Sequence, residues 1–154
     1  RNIERSKIIH LIRHPLDNIL SIYKAHFLSS NRYSSSIKDC FEVYLSHLKA
    51  MTYFKELYPQ DILTISYKEI VSSPEKSIKE LICKLNLEWN NSYLEHEKNE
   101  RIVHTASRVQ VRSPINSQSL NSWENYKELF TEDLLSDENY ISIMEILNSQ
   151  KVLI

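Results

Sequence analysis

The sequence predicts a helix-rich α/β domain whose strands run parallel between flanking helices, and three features carry that prediction. An Ile-rich run, Ile8–Ile12, stops at Arg13 and passes through Pro15 into a helical apolar stripe. A second β-rich run, Ile62-Leu63-Thr64-Ile65-Ser66-Tyr67, follows a long helical pattern, the crossover expected between parallel strands. With 154 residues, 42% of them hydrophobic, the chain is large enough for one core, and no repeat, low-complexity tract or linker divides it.

In chain order, the first strand ends at Arg13. Leu16, Ile19, Leu20, Tyr23 and Phe27 then recur on one helical face, and Pro15 suits the first turn because its missing N–H is no loss there. Arg13 thus sits at a strand's C-terminal end beside a helix N-terminus, where α/β proteins bind anions. Ser21 lies about 9–10 Å along that helix at ~1.5 Å per residue. A buried strand and packing helix with a surface Arg would give the same pattern, so the stretch alone leaves both readings open. A Ser-rich loop follows, from Ser29 to Ser36. Ile37, Phe41, Tyr44, Leu45, Leu48, Met51 and Phe54 then mark a helix that Pro59 stops. Beyond the second strand come a short helical turn, Lys68 to Val71, and a helix capped by Ser73 with Pro74 in its first turn. Ile78, Leu81, Ile82 and Leu85 form its apolar face, and Asn86, tolerant of left-handed backbone, ends it. Leu87 and Trp89 are expected to anchor the chain before a short helix around Ser92 to Glu97. Periodicity vanishes between Asn99 and Asn121, a length of irregular chain that in a compact domain is usually functional or disordered. Two helices close the chain, about Asn121 to Phe130 and Asp137 to Asn148.

Composition excludes some chemistry. The chain has no glycine, so neither a Walker A loop, a Rossmann fingerprint nor a Gly-x-Ser-x-Gly elbow can exist in it. Cys40 and Cys83 lack metal spacing, fall on helical apolar patterns and are expected in the core. His10 and His14 are four apart on a strand and turn, which does not bring them together, while His47 and His96 stand alone in helical patterns, so no metal site is expected. Net charge is −1, but Arg and Lys exceed acids in residues 1–34, residues 101–123 carry Arg101, Arg108 and Arg112 with no acid, and acids dominate residues 124–147. Two basic regions around a neutral middle point to a local anion site, not to a surface that coats nucleic acid. No apolar run approaches the ~20 residues of a membrane span. The chain opens at Arg1 on an interior-type strand, and the expectation is a piece of a longer protein.

Arg13-His14-Pro15-Leu16-Asp17 with Ser21, Tyr67-Lys68-Glu69-Ile70-Val71 followed by Pro74-Glu75, Leu87-Glu88-Trp89, Thr105-Ala106-Ser107 with Gln110-Val111-Arg112-Ser113-Pro114-Ile115, and Ser119 with Trp123 together resemble the sulfotransferases. The similarity is to the branch holding protein-tyrosine sulfotransferases and bacterial sulfotransferases fused to tetratricopeptide repeats, and it runs from about Lys7 to Phe130. It implies the P-loop-NTPase-like sulfotransferase fold, with residues 1–154 as the C-terminal portion of one domain. The implied co-substrate is 3′-phosphoadenosine-5′-phosphosulfate, with no metal. Arg13 and Ser21 would grip its 3′-phosphate, Tyr67, Ser119 and Trp123 would line the donor pocket, and Ser107 would act near the transferred sulfate. Arg108 and Arg112 would either neutralise phosphate or shape the acceptor groove. The implied acceptor bears a hydroxyl (peptide tyrosine, sugar or small molecule), and an upstream helical-repeat domain or a homodimer fits the branch. The implied compartment is the cytoplasm for a bacterial protein and the Golgi lumen for a eukaryotic one.

Departures accompany the likeness. Ser122 stands where the family has Arg or Lys, and Asn121 where it has Gly. The family's phosphosulfate loop, general base and catalytic Lys precede the opening strand, and nothing in residues 1–7 matches them, so these residues alone are expected to be inactive. A kinase-like nucleotide-binding fold and an inactive interaction domain are the alternatives, although no Mg²⁺ ligand set accompanies the first.

Overall fold

A computed structural model describes residues 6–25, 31–98, 112–152 and 154. Strand β1 (Ile8–Ile12) pairs in parallel with β2 (Ile62–Ser66), with Ile8 opposite Ile62 and His10 opposite Thr64. Between them run α1 (Pro15–Ala25), a 3₁₀ turn (Arg32–Ser35) and α2 (Ile37–Leu57), the predicted crossover. Ser36 caps α2 by accepting from the Asp39 amide. After β2, α3 (Tyr67–Ser72) is capped by Ser66, and α4 (Pro74–Lys84) starts at Pro74 with Ser73 as its cap residue. Asn86 takes the left-handed conformation at φ 56°. The chain closes through 3₁₀ segments to α5 (Glu132–Leu135) and α6 (Glu138–Ser149), the latter capped by Asp137.

The core lies where α1, α2 and α6 meet over one face of the sheet. Ile12, Leu16, Ile19, Phe41, Leu48, Ile143 and Leu147 are almost completely buried there, with Phe130 closing one end. The other face is open at β1, where Ile9 and Leu11 are about half exposed, while at β2 Leu63 and Ile65 are half-buried beside α4. The strand expected to be interior is therefore covered on one side only. Ile8, Phe54, Tyr58 and Ile62, with Ser6 and Asp61, also line a cleft of about 310 Å³ beside β1.

Several expectations are corrected. Cys83 is exposed, because it falls on the outer side of α4; Cys40 is buried as expected. Leu87 is exposed, and the anchor is Trp89 alone, edge-on to Tyr93 with the Lys79 ammonium over its ring. The helix expected over 92–97 is two 3₁₀ turns, Asn91–Leu94 and His96–Lys98. The helix expected over 121–130 is 3₁₀ as well, Ser122–Leu129, broken at Tyr126 where φ is −131°. Phe54, on the α2 stripe, is exposed at the cleft beside Ile8 and Ile62. The Phe27 contact and the chain from 99 to 111, with Ser107 and Arg108, lie outside the described residues.

Candidate functional site

The corner between β1 and α1 gathers most of the described residues that the sequence singles out. Its backbone is fixed from behind, as the Tyr44 hydroxyl on α2 donates to the Arg13 carbonyl at 3.2 Å. Burial pushes that phenol up to about 12, so it stays a donor across the ordinary pH range. Arg13 projects across the corner. Its guanidinium lies 5.3 Å from the centre of the Tyr67 ring, a cation–π distance, and an Nη2 hydrogen is donated to the Ser119 carbonyl. Tyr67 is in place because β2 ends at Ser66 directly opposite Ile12.

A buried carboxylate holds the incoming chain. Asp17, in the first turn of α1, has no exposed side-chain surface. Its Oδ2 accepts from the Asn121 amide at 2.9 Å, and its Oδ1 from the Trp123 amide at 2.9 Å and the Ser122 hydroxyl at 3.0 Å. Asn121 takes the left-handed conformation, φ 53°, which accounts for glycine being usual at this point of the motif. The Ser122 side chain turns inward to Asp17, so it is no substitute for an outward Lys or Arg. Trp123 lies flat against His14, ring centres 5.6 Å apart and 8° from parallel, and edge-on to Phe130.

Three buried nitrogens here have no hydrogen-bond partner among the described residues: Arg13 Nε, His14 Nδ1 and Trp123 Nε1. Arg13 Nε comes within 3.9 Å of Asp17 Oδ2, close enough for attraction and too long for a hydrogen bond. Burial, helped by the Lys68 and Arg13 charges, lowers the His14 pKa against the opposing pull of Asp17 and Glu124. The corner thus holds two cations, Arg13 and Lys68, and the positive end of α1, set against the carboxylates of Asp17 and Glu124.

Arg13, Tyr67, Ser119 and Trp123 thus come together, Ser119 through its carbonyl and Trp123 through its backbone and a packed ring. Ser21 is exposed on α1 and is not drawn into this cluster. Arg112 is exposed, next to Ser113, whose carbonyl accepts from His96 Nε2 at 3.0 Å. Sequence reasoning gave Asp17 no role. An acid in a helix's first turn looks like ordinary dipole compensation, and its partners lie over a hundred residues away. His10 and His47 also proved to be partners, with Nε2 atoms 3.1 Å apart, because the alternation of β1 aims His10 at α2. No group of three or more His, Cys, Asp or Glu among the described residues could hold a metal ion.

A family model described as "Sulfotransferase family" matches residues 2–91. A protein of Aquifex aeolicus, described as uncharacterized, is 30% identical over 129 residues, covering 82% of this chain and 17% of that protein. Protein-tyrosine sulfotransferase 1 of Danio rerio is 30% identical over 100 residues, covering 58% of this chain and 27% of its own length. The fold matches that of a solved sulfotransferase domain from the curacin biosynthetic pathway with a TM-score of 0.62 and 16% identity, over 99% of this chain and 56% of that one. The chain therefore spans 17% and 27% of these two relatives and about half of the solved domain.

Proposed function

Because the chain belongs to the sulfotransferase family, we propose that it supplies the 3′-phosphate half of a donor site for 3′-phosphoadenosine-5′-phosphosulfate, in a domain that sulfates a hydroxyl acceptor. The observation carrying this is Arg13, fixed at the end of β1 against Tyr67 and Ser119, with buried nitrogens beside it that no group among the described residues satisfies. Such a corner fits a polyanion and would be costly to leave empty of acceptors. When bound, the donor supplies an activated sulfuryl group. The residues here bind and orient: Arg13 offers a planar fork, the first turn of α1 its partial positive charge, and Ser21 a hydroxyl at the exposed rim. Tyr67 keeps the guanidinium flat. Positioning and charge stabilisation are what sulfuryl transfer, taken as akin to phosphoryl transfer, asks of a protein.

Ser107, Arg108 and Arg112 would serve the reacting end, together with a phosphosulfate loop, base and Lys contributed by sequence outside these residues. On this reading the chain alone transfers no sulfate. Acceptor choice rests on the same outside sequence, and peptide tyrosine is the first class to try, given the name of the zebrafish relative. An inactive relative that keeps the donor corner is the second reading, favoured by Ser122 turning its hydroxyl to Asp17 where an outward cation is usual.

Adenosine 3′,5′-bisphosphate at about a hundred times its Kd should stabilise the full-length protein by about 2.7 kcal/mol. The thermal shift is expected to vanish in Arg13→Ala and in Ser21→Ala. No shift in the full-length protein, or a shift that survives Arg13→Ala, overturns the reading.

A further inference from the structure

We propose that Asp17 is a positioning residue for Arg13, acting through the 119–123 turn to set the guanidinium that reads the donor's 3′-phosphate; this rests on the donor-site reading above. The turn is not held by its own hydrogen bonds alone. Asp17 takes two backbone N–H groups and a hydroxyl from three successive residues, Asn121, Ser122 and Trp123. Two residues upstream, the Ser119 carbonyl receives a guanidinium hydrogen of Arg13. Arg13 and Asp17 are one helical turn apart on the β1–α1 corner, so the path leaves that corner at Asp17 and returns to it at Arg13. Asp17 Oδ2 also attracts Arg13 Nε directly from 3.9 Å.

The geometry makes the carboxylate hard to replace. Both oxygens accept from backbone N–H groups. An amide at this position would set its NH₂ against one of those donors, whichever way it was flipped. The turn would then shift, the Ser119 carbonyl with it, and Arg13 would lose the partner that fixes its plane. Ser122 is the milder probe: its hydroxyl contributes one of the three bonds, and its loss leaves both backbone bonds intact. This gives the residue at that position a task other than phosphate contact.

The test compares adenosine 3′,5′-bisphosphate with adenosine 5′-phosphate, which differ only in the 3′-phosphate, by calorimetric titration of the full-length protein. The affinity ratio reports how well that phosphate is read. A purely structural role for Asp17 would lower Tm and leave the ratio of the folded protein unchanged. We expect Asp17→Asn to lower the ratio about tenfold or more and Ser122→Ala to lower it roughly two- to fivefold, at temperatures well below each variant's Tm. A ratio equal to wild type in both variants overturns the role of Asp17 while leaving the donor site standing. If Asp17→Asn does not fold, Ser122→Ala decides alone by the same ratio. A wild-type protein that does not discriminate between the two nucleotides overturns the donor-site reading and this proposal with it.

Discussion

His10 shows how one side chain couples the sheet to the crossover helix and makes the fold sensitive to acid. It is 8% exposed on the covered face of β1, and its Nε2 meets His47 Nε2 across 3.1 Å. One imidazole donates and the other accepts, so the contact needs at least one neutral ring. Burial, the neighbouring His47 and the Lys55 charge lower the His10 pKa to about 4. Between that value and the ordinary 6.5 the unfolded chain binds the proton and the folded chain does not. Stability is therefore complete above about pH 6.5, falls as pH drops toward 4, and changes no further from this group below that. At ~1.36 kcal/mol per unit the loss has an upper bound of about 3 kcal/mol. Water reaching the exposed rim at His47 reduces it. His14, also lowered, adds in the same direction. Urea unfolding at pH 7, 6, 5 and 4.5 should show the decline, with a shallower slope in His10→Asn. An unchanged slope in that variant would show that the decline comes from other groups.

Among the elements, those legible in the sequence are those whose cause is local. Pro15 and Pro74 in first turns, Asn86 at a left-handed stop and the α2 stripe from Phe41 to Leu48 each follow from neighbours a few residues away. What stayed hidden depends on distant partners. Leu87 has an apolar side chain and finds no cover, and the Asn121–Phe130 pattern looks helical but forms 3₁₀ turns broken at Tyr126, its start held by Asp17 from across the fold. The same split runs through the site. Arg13 was readable from its place at a strand end, whereas the anchoring of Ser119, Ser122 and Trp123 required the fold. The Asn121 backbone gives a direct check. Asn121→Gly should leave stability within about 0.5 kcal/mol, because glycine adopts φ 53° freely. Asn121→Val should cost about 1–2 kcal/mol or more, since a branched Cβ crowds the left-handed region. Chemical denaturation measures both, and an unaffected Val variant would mean that the turn can rearrange at no cost.

For the molecule as a whole, the decisive asymmetry is between the two faces of its sheet. Parallel sheets are ordinarily covered on both sides. Here α1, α2 and α6 bury one face, while Ile9 at 46% and Leu11 at 50% exposure stand on the other. β1 pairs only with β2 among the described residues, which leaves its far edge open to another strand. The chain also covers only 56% of the solved sulfotransferase domain it resembles in fold. We propose that, in a longer protein, further sequence of the domain packs on the Ile9 and Leu11 face. A double substitution, Ile9→Ser with Leu11→Ser, separates this arrangement from a sheet that functions uncovered. In residues 1–154 by themselves the exposed pair should cost little, within about 0.5 kcal/mol each. In the full-length protein the same pair would be buried, and removing two branched side chains from a packed face should cost roughly 2–5 kcal/mol apiece. Thermal unfolding of the two forms, each with and without the substitutions, gives the comparison. Equal and small shifts in both would mean that nothing covers this face, and the donor site would then have to be completed from another direction.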